Sequence, residues 1–132
     1  MKPEQLMIGD YIMFNKDIYK IEEISKKGWA HIIHNDGSNC RVALSSDYIL
    51  DDITPVPLTD EILKKNGFDY ENNVGDVLEY YNYEIIYNTW EHELRILENR
   101  EQILKIKTFD EMCVHELQHA LKLCGINKEI EI

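Results

Sequence analysis

Residues 108–125 read Thr-Phe-Asp-Glu-Met-Cys-Val-His-Glu-Leu-Gln-His-Ala-Leu-Lys-Leu-Cys-Gly. Phe109, Met112, Cys113, Leu117, Ala120, Leu121 and Cys124 recur at spacings of three and four. At about 100° per residue they fall on one apolar stripe. Thr108 with Glu111 three residues later has the form of a capping box, and Gly125 stands where a helix can end on a residue with positive φ. The pattern predicts a helix from about Phe109 to Cys124 whose stripe must be packed against another element.

The segment upstream supplies that element. In Tyr81-Asn82-Tyr83-Glu84-Ile85-Ile86-Tyr87-Asn88 the odd positions are aromatic or apolar and the even ones mostly polar, the alternation of a half-buried strand. Glu93 to Leu97 and Gln102 to Lys107 read as a hairpin around Glu98-Asn99-Arg100-Glu101. A three-stranded antiparallel meander under the C-terminal packing helix is the economical reading. The tail Ile126 to Ile132 adds an edge strand or frays, and Asp69 to Asp76 is expected to be a polar loop.

Before that loop, Thr59 is placed to cap a short helix. Leu58 and Leu63 are its hydrophobic staple, Asp60 and Glu61 suit the positive end of its dipole, and Gly67 can end it. Asp51-Asp52-Ile53-Thr54-Pro55-Val56-Pro57 reads as a connector, since alternate prolines remove amide donors. Earlier still, the apolar residues come in strand-length clusters: Ile8 to Phe14, Ile18 to Ile24, Trp29 to Ile33, Arg41 to Leu44, and Tyr48-Ile49. Turn residues break them at Asn15-Lys16-Asp17, at Ser25 to Gly28 and at Asn35-Asp36-Gly37-Ser38, where Asp-Gly favours a tight hairpin. Gly9 is read as a bulge or a close backbone approach.

The expected fold is therefore α+β: a small SH3-like antiparallel β-barrel, then a short helix, a three-stranded antiparallel meander and a C-terminal packing helix. The expected division is a β lobe over 1–54 and an α+β lobe over 55–132, or one continuous domain.

Composition narrows the function classes. The net charge of −11 comes from 25 acidic against 14 basic residues, and the excess is larger in 55–132 than in 1–54. Such a surface repels phosphate backbones and anionic lipids, so nucleic acid is not an expected partner. No apolar run approaches the ~20 residues of a membrane span, so no membrane partner is expected either. Cys40, Cys113 and Cys124 are an odd set without a Cys-x-x-Cys pair, and the first ten residues lack the features of a cleavable leader, which suggests a cytoplasmic protein. All three cysteines are expected to be small buried hydrophobes.

Residues 115–119, His-Glu-Leu-Gln-His, match H-E-x-x-H. Histidines at i and i+4 of a helix project to one side and can share a zinc ion, with the glutamate as general base toward the metal-bound water. His115 and His119 are thus candidate metal ligands and Glu116 a candidate catalytic base. Three arguments oppose this. Catalytic zinc needs a third protein ligand, for which Glu129, Glu131 or His92 would have to serve, and the extended metzincin spacing fails at Lys122 and Gly125. Little chain follows the helix to form a substrate cleft. A pattern that fixes only three residues also arises readily by chance in a chain with five histidines and 25 acids. The favoured reading is the polar edge of a packing helix.

At Pro55-Val56-Pro57-Leu58-Thr59-Asp60-Glu61-Ile62-Leu63-Lys64-Lys65-Asn66-Gly67-Phe68 the sequence resembles a family of small uncharacterised Bacteroidetes proteins, often in phage or mobile-element surroundings. The family's Leu-x-Ile-Gly-Asn-Tyr-like opening is matched by Leu6-Met7-Ile8-Gly9-Asp10-Tyr11, and its Val-His-Gln-Leu-Gln-Asn-Leu-like helix by Val114 to Ala120. The resemblance runs along nearly the whole chain. The family pattern has glutamine at the position of Glu116 and asparagine at that of His119, which implies that H-E-x-x-H arose here by two substitutions. It carries over no activity and no cofactor.

Among the remaining candidates, His31 and His34 are three apart on a strand and so on opposite faces, which argues against a shared metal. Tyr11, Trp29 and Tyr48 either line a groove for an extended peptide, as in SH3-like barrels, or fill the core; they are the binding candidates. Tyrosines 80–87 could stack bases, but few cations lie nearby. The reading that results is a non-enzymatic protein that binds another protein and needs no cofactor; the alternative is a zinc-dependent metallopeptidase using 115–119.

Overall fold

The computed structural model describes residues 6–26, 28–43 and 53–132. The chain divides into two compact units, Met1–Val56 and Pro57–Ile132. Each is built on a five-stranded antiparallel sheet, and the fold is α+β, with two helices among the described residues.

The first sheet contains β1 (Tyr11–Phe14), β2 (Asp17–Ile24), β3 (Trp29–His34), β4 (Asn39–Ala43) and β5 (Ile53–Pro55), in the order β4-β3-β2-β1-β5. Asn15 and Lys16 join β1 to β2 with φ of 49° and 67°, the left-handed pair that a two-residue hairpin requires. Ile12, Ile21, Ala30, Ile32, Val42 and Ile53 are buried on one side, with Phe14, Tyr19, Ile24 and Cys40 packed at the margin. Among the described residues the sheet is open, with no ladder joining β4 to β5. One expectation changes here. Ile53-Thr54-Pro55, read as connector, is an edge strand paired with β1; an edge position is where a proline without an amide hydrogen is tolerated. Gly9, φ 93°, lies in a tight turn in which the Asp10 amide donates to the Met7 carbonyl (3.1 Å). The buried Asp10 carboxylate accepts from the Met7 amide at 2.8 Å.

The second unit opens with α1 (Asp60–Lys65), and the expected signals act there. Thr59 Oγ1 accepts from the Ile62 amide (3.3 Å), and the staple residues Leu58 and Leu63 are both buried. At the other end Gly67 has φ 92°, the Phe68 amide donates to the Leu63 carbonyl (3.0 Å) and the Gly67 amide to that of Lys64 (3.1 Å), a Schellman closure.

The second sheet comprises β6 (Asp69–Glu71), β7 (Gly75–Tyr80), β8 (Tyr83–Asn88), β9 (Glu93–Glu98) and β10 (Glu101–Lys107), in the order β10-β9-β8-β7-β6. The expected three-stranded meander is its last three strands. Asp69 to Asp76, expected as a loop, instead forms β6, a turn and the start of β7. Its side chains are largely polar, so no alternation marked it, and the pairing of Tyr70 with Asp76 and of Asp76 with Tyr87 recruits it into the sheet. Gly75, φ 124°, passes so close to β8 that a Cβ there would run into the Tyr87 carbonyl oxygen and stand 3.1 Å from Asn88 Cα. Leu78, Ile85, Ile96 and Leu104 are register neighbours on one face, as are Asp76, Tyr87, Leu94 and Ile106. The β9–β10 ladder shifts by a residue between Gln102 and Leu104.

The last helix, α2, spans Val114–Leu123 and starts five residues later than the sequence suggests. Thr108 does not cap it. Residues before it are held extended: the Leu58 amide donates to the Met112 carbonyl (3.0 Å), the Met112 amide to the Tyr87 hydroxyl (3.2 Å), and Pro57 and Cys113 form an antiparallel bridge. Phe109, assigned to the apolar stripe, is 98% exposed, while Val114, Leu117, Ala120 and Leu121 form the buried side. Each fully buried Leu contributes about 1.5–3 kcal/mol. Gly125 closes α2 with φ 72°, and the Ile126 amide donates to the Leu121 carbonyl at 2.9 Å.

The tail neither frays nor adds a strand. Ile126 and Ile130 are buried, and the side chain of buried Asn66 grips the backbone of Glu131, accepting from its amide and donating to its carbonyl, both at 2.7 Å. The Asn66 amide group also donates to the Ile62 carbonyl (2.7 Å). The cysteines are half-buried thiols rather than core residues.

Candidate functional site

The start of α2 explains why a glutamate stands inside the His-Glu-Leu-Gln-His pentapeptide. With Cys113 at the N-cap, Glu116 is the N3 residue, and its carboxylate accepts from the Cys113 amide at 3.0 Å. A carboxylate there satisfies an orphan donor and faces the positive end of the helix. His115 and His119 meet on one side of α2, as their spacing requires, with ring centroids 5.6 Å apart and planes at 72°. His115 is buried and His119 half-buried. Two imidazoles are one ligand short of a catalytic zinc site. Among the described residues no group of three His, Cys, Asp or Glu side chains is arranged to hold a metal ion. Burial, reinforced by Glu116, pushes the nearby Cys113 thiol up to about 11, which leaves it a poor nucleophile at neutral pH.

Tyr11 and Trp29 lie on the sheet face opposite Ile12 and Ala30, both half-buried. They do not adjoin. Tyr11 is opposite Lys20, which is opposite Ile33, so Trp29 stands four residues further along β3, about 13 Å at strand rise. Each ring carries a cation of the chain's own: Arg41 lies 4.5 Å over Trp29 and Lys20 5.6 Å over Tyr11. Tyr48 lies outside the described residues. His31 and His34 serve different neighbours, His31 bonding Asn39 (3.0 Å) and Glu22 (3.1 Å) and His34 standing 3.0 Å from Asp36.

No family model, curated protein or solved structure matches the chain. The site must be read from geometry.

Two features of the second unit stand out. One is a shallow cleft of about 320 Å³ where the β7–β8 and β9–β10 turns meet, lined by Glu79, Tyr81, Asn82, Tyr83, Glu84, Asn99 and Arg100. The other lies at the opposite end of the sheet, where Tyr70, Trp90 and Phe109 are 51%, 67% and 98% exposed. Tyr70 and Trp90 pack edge to face with centroids 6.1 Å apart.

The backbone carrying these rings is well tied. Asn88 Oδ1 accepts from the amides of Trp90 (2.9 Å) and Glu91 (3.1 Å), which fixes the turn between β8 and β9. The His92 carbonyl accepts from the Thr108 amide (2.9 Å), and the Thr108 hydroxyl donates to the Asp110 carbonyl (2.6 Å), which brackets Phe109. The threonine expected to cap the helix instead anchors this loop beside the Trp90 turn. The sequence hides the site because Phe109 fits the helical period and Tyr70 sits in a polar stretch without strand alternation. The available signal was Trp90, a large apolar residue inside the polar run Asn88 to His92.

Proposed function

We propose that the protein is a non-enzymatic protein-binding module, cytoplasmic and of phage or mobile-element type, with an SH3-like first unit. The observation that carries binding is the set of exposed aromatic rings, Tyr70, Trp90 and Phe109, held on hydrogen-bonded backbone at one end of the second sheet. Large rings left in water on ordered backbone are the anchors that interfaces use, because two-χ side chains lose little entropy on contact. The order β4-β3-β2-β1-β5, with the last strand returning to the first, supports the SH3-like reading. The mobile-element assignment rests on the sequence resemblance at Leu6–Tyr11, Pro55–Phe68 and Val114–Ala120. No membrane attachment is invoked: among the described residues no helix is long and apolar enough to cross a membrane.

The zinc peptidase reading has less support. Glu116 is engaged at the helix start, and among the described residues no group of three His, Cys, Asp or Glu side chains is arranged to hold a metal ion. The test is affinity capture from host cells with the full chain and with a Trp90→Ala/Phe109→Ala chain in parallel. A partner retained by the first and lost by the second supports the proposal. Equal recoveries refute it, and zinc bound stoichiometrically to untagged protein but lost in His115→Ala would favour the peptidase.

A further inference from the structure

We infer that the aromatic end of the second sheet docks an extended, basic protein segment rich in arginine and lysine. The inference rests on the protein-binding reading and adds the chemistry of the partner. Each exposed ring is flanked in sequence by acids: Asp69-Tyr70-Glu71, Trp90-Glu91 and Phe109-Asp110-Glu111. All five of these carboxylates are exposed, and no base occurs in the three segments. The nearest basic residue along the chain is Lys107, while Arg95 and Lys105 are drawn to Glu93 at 3.7 and 3.8 Å. Residues 57–132 as a whole carry sixteen acids against eight bases.

The rings also have a linear layout. Tyr70 is on edge strand β6 and Trp90 on the β8–β9 turn, and Phe109 follows the opposite edge strand β10. Four strand spacings separate the two edges, about 19 Å, which matches some six residues of extended chain at about 3.3 Å each. Arginine and lysine side chains suit such a strip: their cations stack on ring faces and pair with the exposed carboxylates of Glu91, Asp110 and Glu111 in the segments of Trp90 and Phe109. Asp69 and Glu71 alternate to the face of β6 opposite Tyr70 and add only to the general negative field. The first sheet follows the same rule internally, where Arg41 covers Trp29. Among the described residues no Lys or Arg lies over Tyr70, Trp90 or Phe109, and apart from the edge-to-face contact between Tyr70 and Trp90 these rings are left to a partner's cations.

Selection of random displayed peptides on the full chain, with counter-selection on the Trp90→Ala/Phe109→Ala chain, tests the inference. The expected outcome is a consensus of alternating or clustered Arg and Lys. Its synthetic peptide should bind about tenfold or more weakly to the double variant, a hot-spot loss of about 1.4 kcal/mol or more. It should also bind about tenfold more weakly to a Glu91→Lys/Asp110→Lys/Glu111→Lys chain and weaken as salt rises. Circular dichroism should match the parent, because the substituted side chains are exposed. A patch-dependent consensus that is apolar, proline-rich or acidic overturns the basic partner while leaving the protein-binding reading intact. No patch-dependent consensus overturns both. A basic peptide indifferent to the charge reversals also refutes the inference.

Discussion

Asn66→Ala removes three hydrogen bonds from a side chain that is 5% exposed: two that hold the backbone of Glu131 and one that closes α1 at Ile62. A net hydrogen bond contributes about 1 kcal/mol, and Glu131 is exposed enough for water to reclaim part of what it loses. The expected cost is about 2–3 kcal/mol. Asn66→Asp should cost more than alanine. It keeps an acceptor for the Glu131 amide but loses both donors, and sets a carboxylate against the Ile62 and Glu131 carbonyls. The repulsion raises that carboxyl's pKa in the fold, so the aspartate variant should recover stability as pH falls through the raised value, when a proton restores one donor. Urea unfolding of the full chain followed by circular dichroism gives the stability difference, and amide exchange at Glu131 gives the local effect. Should the alanine chain lose less than about 0.5 kcal/mol with Glu131 exchanging at its parental rate, or the aspartate chain prove more stable than alanine at pH 7, the clamp has no energetic role.

Gly75→Ala forces a side chain into left-handed backbone against the Tyr87 carbonyl, and we expect a loss above about 3 kcal/mol in the same urea assay. Glu116→Ala removes the cap on Cys113 and should cost about 1 kcal/mol without altering partner capture; a loss of capture with stability unchanged would give Glu116 a functional role. For Asp76, burial and then the nearby Asp60 raise the carboxyl's pKa above 3.8 in the fold. Its ionised form therefore penalises the fold above that raised value, and the penalty is relieved as pH falls toward 3.8. Asp76→Asn should be more stable than the parent at pH 7, with the gap closing on acidification. A gap that is constant with pH would contradict this.

What could be read from the sequence is what is decided locally. Thr59, Leu58, Leu63 and Gly67 bound α1 because capping and staple contacts span only a few residues. Hairpin turns such as Asn15-Lys16 follow from φ preferences within the turn. The errors come where a distant partner decides. Thr108-Phe109-Asp110-Glu111 has a capping pattern, yet the His92 carbonyl holds Thr108 while the Tyr87 hydroxyl and the Leu58 amide hold Met112, which keeps the stretch out of the helix, so α2 starts at Val114 and Phe109 stays in water. Residues 69–76 lack apolar alternation and became strand because β8 offers an adjacent ladder. The candidate aromatic end is illegible for the same reason: Tyr70, Trp90 and Phe109 are brought to one end of the strands only once the sheet has formed.

The β10 edge bears on how this molecule behaves when crowded. A seven-residue outer strand containing Ile103, Leu104 and Ile106 has the makings of a template for fibril growth. The register slip between Gln102 and Leu104 interrupts its ladder, and Lys105 and Lys107 place cations along the remainder, so a second copy cannot add in step without burying charge. Neutralising those two lysines should shorten the lag before aggregation at high concentration while leaving the native fold intact.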